Sequence, residues 1–306
     1  MYLRTSANKY TAIAQLLHVI LVEALSNTNT IKELDYISQT NIHLHKSRDL
    51  NRVLYISGVA LQQKKSQNLH SMKFAQEIVC YLWANYDQEL KVEIVSPGLI
   101  YIELTSYLLA AFLQFLSSGE LWDEIKTHKN QSTSFHEYSS SKKYLSLSKD
   151  NLSQKLINSR GSFPLQYAHA RCCSLLQLAA VGEELISLDV GCTSWAITQP
   201  SEIPWLKEEG ELRFFHPAEF CLMSKLIETL DNLDSKTIDK TVKWENVALG
   251  LSQSFEIFWS NCQIWGEVKI NYRELAQARL GLIAIARFVF QRVLEEKLGL
   301  TACSEL

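Results

Sequence analysis

Eight of the 22 residues from Ser132 to Ser153 are serine, mixed with Lys, Asn and Tyr. Such a stretch offers too little apolar surface to enter a core, and it reads as a flexible linker. It falls near the middle of a 306-residue chain. The chain must therefore fold as two regions of similar size, each within the usual range of a single domain. Hydrophobic residues make up 47% and charged residues 21%, as in ordinary folded domains. The 11 Gly and 5 Pro exclude collagen-like and Pro/Gly-rich disordered chains. A net charge of −3 means that the molecule as a whole is no obvious polyanion binder.

The seven cysteines include no CxxC pair, so no zinc ribbon or thioredoxin-like motif is offered. Reduced thiols in a cytoplasmic protein are expected. Met1–Tyr10 lacks the apolar core of a signal peptide, and no apolar stretch reaches the ~18 residues of a membrane span. No membrane, metal or cofactor is expected.

In the first region, Ile13, Leu16, Leu17, Ile20, Leu21 and Ala24 recur at helical spacing. His18 lies among them and reads as a partly buried residue. Residues 52–61 favour a strand, with Gly58 as a break. Residues 71–84 read as a helix with Phe74, Ile78, Tyr81 and Leu82 on one face. The clearest β signal is Lys91–Val95, then Ser96-Pro97-Gly98, then Leu99–Leu104. Pro97 followed by Gly98 is type II turn chemistry, so a hairpin is expected. Thr105-Ser106 then caps a helix reaching about Leu116.

Beyond the linker every strong pattern is helical. Pro164 sits near the start of one run, where its missing N–H costs little. Pro217 opens a second helix, residues 242–264 form a third, and residues 272–298 form the last and longest. Gly299 follows as a C-cap. The expected fold is multidomain: a small α+β domain over 1–118, a linker over 119–151, and an all-α antiparallel bundle over 152–306.

Gln166, Tyr167, His169 and Arg171 crowd into one and a half helical turns. An aromatic one turn from a guanidinium suits an unstacked base and a phosphate. Alternatively, Tyr167 fills the bundle and Arg171 pairs with an acid. The stretch SFPLQYAHARCCSLLQ resembles the opening helix of the DALR anticodon-binding domain of arginyl-tRNA synthetases. PAEFCLMSKLIETLDNL, ALGLSQSFEIFWSNCQIW and ARLGLIAIARFVFQRVLEEKLGL resemble its later helices, in the family's order. VEIVSPGLIYIEL resembles the Pro-Gly strand pair of the amino-terminal tRNA-recognition domain of the same enzymes. Ser96 and Leu99 there replace the usual small and aromatic residues. VLYISGVALQQ and KFAQEIVCYLW fit the strand and helix upstream.

In that family an ATP-binding catalytic domain separates the two modules; here the place holds only the Ser-rich stretch. No His-x-Gly-His element occurs, and His43-Leu44-His45-Lys46 is the nearest approach. No Lys-Met-Ser-Lys-Ser loop occurs; Met223-Ser224-Lys225 is a partial echo inside an amphipathic helix. Walker, GxGxxG, HExxH and GxSxG motifs are absent. The resemblance therefore implies a non-catalytic protein that binds tRNA, arginine tRNA by family. Gln166, Tyr167, His169 and Arg171 would face the anticodon stem-loop and Pro97-Gly98 the tRNA body. A protein-interaction module in translation, and arginine–tRNA ligase activity itself, are the alternatives.

Charge weighs against a simple polyanion site. Residues 1–150 hold 15 basic and 14 acidic side chains, whereas residues 151–306 hold 15 and 19. RNA binding then requires the positives to cluster. Arg171, Arg279, Arg287 and Arg292 would do so if the last helix lies beside the first; the alternative is ion pairing inside the bundle. Trp195, Trp205, Trp244 and Trp265 are either a protein-docking patch or core.

Overall fold

A computed structural model describes residues 10–27, 42–49, 52–62, 68–118, 149–181, 185–190, 195–234 and 242–306. Most of the expected linker, 119–148, lies outside these residues. Two compact units emerge. The first is Met1–Leu113 with Pro204–Thr241, and the second is Gln114–Ile203 with Val242–Leu306. Residues 204–234 thus pack with the N-terminal region, whereas their sequence position had placed them in the helical bundle.

The first unit is an α+β layer structure. Helix α1 (Ile13–Asn27) buries Ile13, Leu16, Leu17, Ile20, Leu21, Ala24 and Leu25, the face its spacing predicts. Strands β1 (Leu44–Lys46), β2 (Leu54–Ser57), β3 (Leu90–Val95) and β4 (Leu99–Leu104) form an antiparallel sheet in the order β1-β2-β4-β3. Gly58 ends β2, and a short 3₁₀ turn, Val59–Leu61, follows. Helix α2 (Asn68–Tyr86) packs on β3 and β4 and against α1. Glu23 of α1 accepts hydrogen bonds from the hydroxyls of Tyr81 and Tyr86 of α2, at 2.9 and 2.8 Å. Helix α3 (Ser106–Ser117) opens at Thr105, whose Oγ1 accepts the Leu108 N–H.

The β3–β4 hairpin forms as expected, but its turn differs. The Ser96–Pro97 peptide is cis, and the Gly98 N–H donates to the Val95 carbonyl at 2.9 Å. Proline is therefore third in the four-residue turn, which makes it type VI rather than type II. Gly98 has φ 137°, and a Cβ there would lie 3.2 Å from the Ser71 carbonyl oxygen. The glycine is needed both for its backbone angle and for the close approach.

Residues 204–234 complete this unit. Arg213 donates to the Pro204 and Leu206 carbonyls, at 2.9 and 2.6 Å, and so folds the loop on itself. Helix α5 (Pro217–Leu233) opens with a capping box at His216 and Glu219. Its last turn carries Asp231, 7% exposed. The Asp231 carboxylate accepts the Ala14 N–H at 2.9 Å and the Tyr55 hydroxyl at 2.5 Å. It caps the N-terminus of α1 from a helix more than 200 residues away in sequence. Thr11 adds a hydroxyl bond to Asp234. Lys46, on the core-facing side of β1, donates to Ser224 of α5 at 2.5 Å. Burial pushes the Lys46 ammonium below its ordinary range, against the pull of Glu228 and Asp231.

The second unit centres on two helices. Helix α4 (Lys149–Ala180) includes Pro164 in its interior, not near its start, and begins within the expected linker. At 32 residues it exceeds the C-terminal helix α8 (Arg273–Arg292, 20 residues), which the sequence had suggested as the longest. Helix α6 (Trp244–Asn261) and α8 pack against α4. A short helix α7 (Glu267–Asn271) precedes α8. Every residue of α8 from Leu275 to Phe290 is buried, as befits a helix surrounded by neighbours. A π-helical turn, Val293–Lys297, follows it, and Gly299 stops the chain at φ 65°. The unit is not all-α. Ser187–Val190 (β5) and Trp195–Gln199 (β6) form a two-stranded antiparallel hairpin. Both strands are short and only partly alternating, which is why the helical reading missed them.

Asp231 generates two predictions. Asp231→Ala leaves the Tyr55 hydroxyl and the α1 amides without their acceptor, at a cost of about 2–4 kcal/mol in urea unfolding. Burial also lifts the Asp231 carboxyl to about 6, despite the opposing Ala14 amide, Tyr55 hydroxyl and Lys46 ammonium. Between ~pH 4 and 6 the folded chain keeps a proton that the unfolded chain has released. Asp231 therefore contributes less stability as pH rises through this window. The stability difference between wild type and Asp231→Asn should fall from pH 4.5 to pH 7; a rise would refute the assignment.

Candidate nucleic-acid interface

The crowded segment Gln166–Arg171 lies in the middle of α4, and the helix sorts its residues onto different faces. Tyr167 points to solvent, 56% exposed. Gln166 is half-buried beside it. Arg171, one turn after Tyr167, is half-buried with its guanidinium carbon 4.8 Å from the ring centre of Trp259 on α6. Trp259 in turn meets Trp265 edge-on, with ring centres 6.0 Å apart. Arg171, Trp259 and Trp265 form a cation–π seam between α4 and the end of α6. Tyr167 lies outside the core, and among the described residues no acid pairs with Arg171. The aromatic pair Phe258-Trp259 was the available sequence signal: Phe258 is buried and Trp259 half-exposed.

The remaining expected contact residues are interior. His169 is 2% exposed, and its Nδ1 lies 2.8 Å from the Cys303 carbonyl, so the Nδ1–H donates and ties the C-terminal tail to α4. Burial lowers its pKa, and its Nε2 has no hydrogen-bond partner among the described residues. Arg279 and Arg287 are 3% and 5% exposed. Arg279 donates to the Gln263 carbonyl, and Arg287 donates to the Gln291 side-chain carbonyl at 3.4 Å. Arg292 pairs with Glu296 at 3.2 Å. The last helix does lie beside α4, but burial on every side keeps these guanidiniums from forming a surface stripe. They correct the expectation of phosphate contacts on α8.

In the first unit the sheet has two unlike faces. Tyr55, Ile102 and Val92 are cross-strand neighbours on the buried face. On the other face His45, Ile56, Tyr101 and Glu93 form one row across all four strands. His45 and Glu93 are exposed, and Ile56 and Tyr101 are half-exposed. His43 stacks parallel to His45, with ring centres 6.5 Å apart. Pro97 is exposed at the hairpin tip, whereas Gly98 is buried against Ser71. The hairpin thus presents Tyr101 and its row; Gly98 shapes the turn.

The tryptophans divide as well. Trp205 is 3% exposed and packs edge-on against Phe214, so it is core. Trp244 is half-buried beneath Lys297, 5.1 Å from the ring centre. Trp195 has a side chain outside the described set. Met223-Ser224-Lys225 lies within α5, with Ser224 buried. Among the described residues no group of three metal-ligating side chains comes together, and no helix is long and apolar enough to cross a membrane.

A double-mutant cycle tests the seam. Arg171→Ala and Trp259→Ala should show a coupling of about 0.5–1 kcal/mol in urea unfolding, with a shift in tryptophan emission. Additive effects and unchanged emission would show that the two side chains do not interact.

Comparison with known proteins gives partial matches. The chain is 30% identical over 142 residues to the arginine–tRNA ligase of Synechococcus sp. (strain JA-3-3Ab). It is 31% identical over 143 residues to that of Heliobacterium modesticaldum (strain ATCC 51547 / Ice1). These alignments cover 45% and 46% of this chain but 21% and 22% of the ligases, so the chain spans about a fifth of the length of the curated relatives it matches. No family model and no solved structure matches. Over just under half its length the chain is similar in sequence to arginine–tRNA ligases.

Proposed function

We propose that the chain is a non-catalytic tRNA-binding protein related to arginyl-tRNA synthetases. In this reading residues 152–306 hold an anticodon-binding module of the DALR class and residues 1–118 a tRNA-recognition module, although α5, one of the DALR-like helices, packs in the first unit. The observation that carries it is the Arg171–Trp259–Trp265 seam beside exposed Tyr167, in a chain partly identical to arginine–tRNA ligases. A base stacks on an aromatic ring or a guanidinium plane, so this seam suits an unpaired nucleotide. The Tyr101 row of the sheet is the matching surface for the tRNA body. Arginine tRNA is the first ligand to try.

The absence of the His-x-Gly-His and Lys-Met-Ser-Lys-Ser elements supports a non-catalytic role. A protein-interaction role is the second reading. The acidic balance of residues 151–306 and the apolar solvent face of α4 favour it.

Filter binding against purified tRNA decides between them. Retention is expected at micromolar protein and should weaken as salt rises. Tyr167→Ala, Arg171→Ala and Tyr101→Ala should each reduce affinity several-fold, since stacking is worth roughly 1–3 kcal/mol per base. No salt-sensitive retention would remove the RNA reading. With ATP, arginine and tRNA, no aminoacylation is expected; measurable turnover would overturn the non-catalytic assignment.

A further inference from the structure

Strand β3 is one edge of the four-stranded sheet. A proline, a bulge or a very short length commonly blunts such an edge. The opposite edge, β1, is three residues long. By contrast, β3 runs for six residues without a proline, and its ladder with β4 has no bulge from Leu90 to Val95.

The direction of its backbone groups is set at both ends. The Glu89 carbonyl accepts the Thr105 N–H at 3.0 Å, and the Val95 carbonyl accepts the Gly98 N–H at 2.9 Å. Both carbonyls therefore face the β4 side. Alternation along an antiparallel ladder then turns the N–H and C=O groups of Leu90, Val92 and Ile94 away from β4. Among the described residues these groups have no hydrogen-bond partner. Lys91 and Glu93 are exposed on the open face of the sheet, and neither has an ion pair or side-chain hydrogen bond among the described residues.

A second β3 fits this edge in one register. An antiparallel two-fold centred on Val92 lets Val92 exchange both hydrogen bonds with the partner's Val92. Leu90 and Ile94 exchange theirs with the partner's Ile94 and the partner's Leu90. Every outward group is then paired. Lys91 comes opposite Glu93 of the partner subunit, and Glu93 opposite the partner's Lys91. Opposite charges facing across a ladder stabilise it, whereas like charges destabilise it. The neighbouring registers set Lys91 on the partner's Lys91, or Glu93 on the partner's Glu93. Charge thus selects the register that also pairs the most backbone.

The helix layer agrees. Tyr81 of α2 bonds Glu23 of α1, and α1 also meets β1, at the far edge of the sheet. Trp83 is about 200° further round α2, so it lies on the flank toward the β3 edge. There it is 53% exposed. We infer that the outer edge of β3 is a self-pairing surface, and that two copies of this chain join through it into one continuous antiparallel sheet. The inference does not rest on the RNA reading, since the ladder forms without RNA.

Sedimentation equilibrium of the full chain, freed of RNA, tests it over a hundredfold range of concentration. The mean mass should rise from 35.0 kDa toward twice that value. Lys91→Glu and Glu93→Lys change exposed side chains and should keep the far-ultraviolet circular dichroism of wild type. Each sets like charges opposite one another across the two-fold. Each should therefore raise the dimer dissociation constant about tenfold or more. An equimolar mixture of the two variants should recover dimers, because each supplies the charge that the other lacks. The double variant Lys91→Glu/Glu93→Lys should dimerise like wild type. A monomer at every concentration would overturn the inference. So would single variants that dimerise as wild type does, or a mixture that stays monomeric. Loss of tRNA retention with the dimer intact would count against the RNA reading alone.

Discussion

A buried carboxylate at a helix start holds the first unit together. The first turn of any helix presents N–H groups with no internal acceptor, and burying them without one is costly. For α1 that acceptor is Asp231, supplied by α5. The same carboxylate takes the Tyr55 hydroxyl of β2, and neighbouring Lys46 of β1 bonds Ser224 on α5. Helix, sheet and late helix thus share one polar network inside an apolar layer. Removing any member strands the others in a medium where unpaired polar groups are expensive. This network explains why residues 204–234 pack with the N-terminal region although the Ser-rich stretch precedes them in sequence.

What was legible in the sequence was what local periodicity encodes. The buried face of α1, the β3–β4 hairpin and the start of α5 at Pro217 are each set by residues close in the chain. What was not legible depends on partners far away. The apolar stripe of α5 states that a core receives it, not which core. The strands Ser187–Val190 and Trp195–Gln199 are too short for a clear period of two. Pro97-Gly98 announces a turn, but the same dipeptide serves type II and type VI alike.

The candidate site followed the same division. Placing Tyr167 and Arg171 one turn apart needs only helical spacing. That Arg171 meets Trp259 depends on how α4 and α6 cross. Arg279 and Arg287, two turns apart, do share a face, as their spacing requires, but neighbours on all sides of α8 turn that face inward. Spacing fixes the relative direction of two side chains and is silent about whether water or protein lies beyond them.

The burial of these arginines changes what the charge count means. Residues 151–306 already carry more acidic than basic side chains. Arg279, Arg287 and Arg292 are engaged within the fold, so they cannot form phosphate hydrogen bonds at the surface. A polyanion approaching this region meets little electrostatic attraction. In the proposed RNA reading, the Arg171–Trp259–Trp265 seam contributes stacking on an unpaired base, alongside the salt-sensitive phosphate contacts. A continuous duplex offers no such base, whereas a loop does. In the proposed RNA reading, one guanidinium on an indole is better matched to the loop of a folded RNA than to a regular double helix.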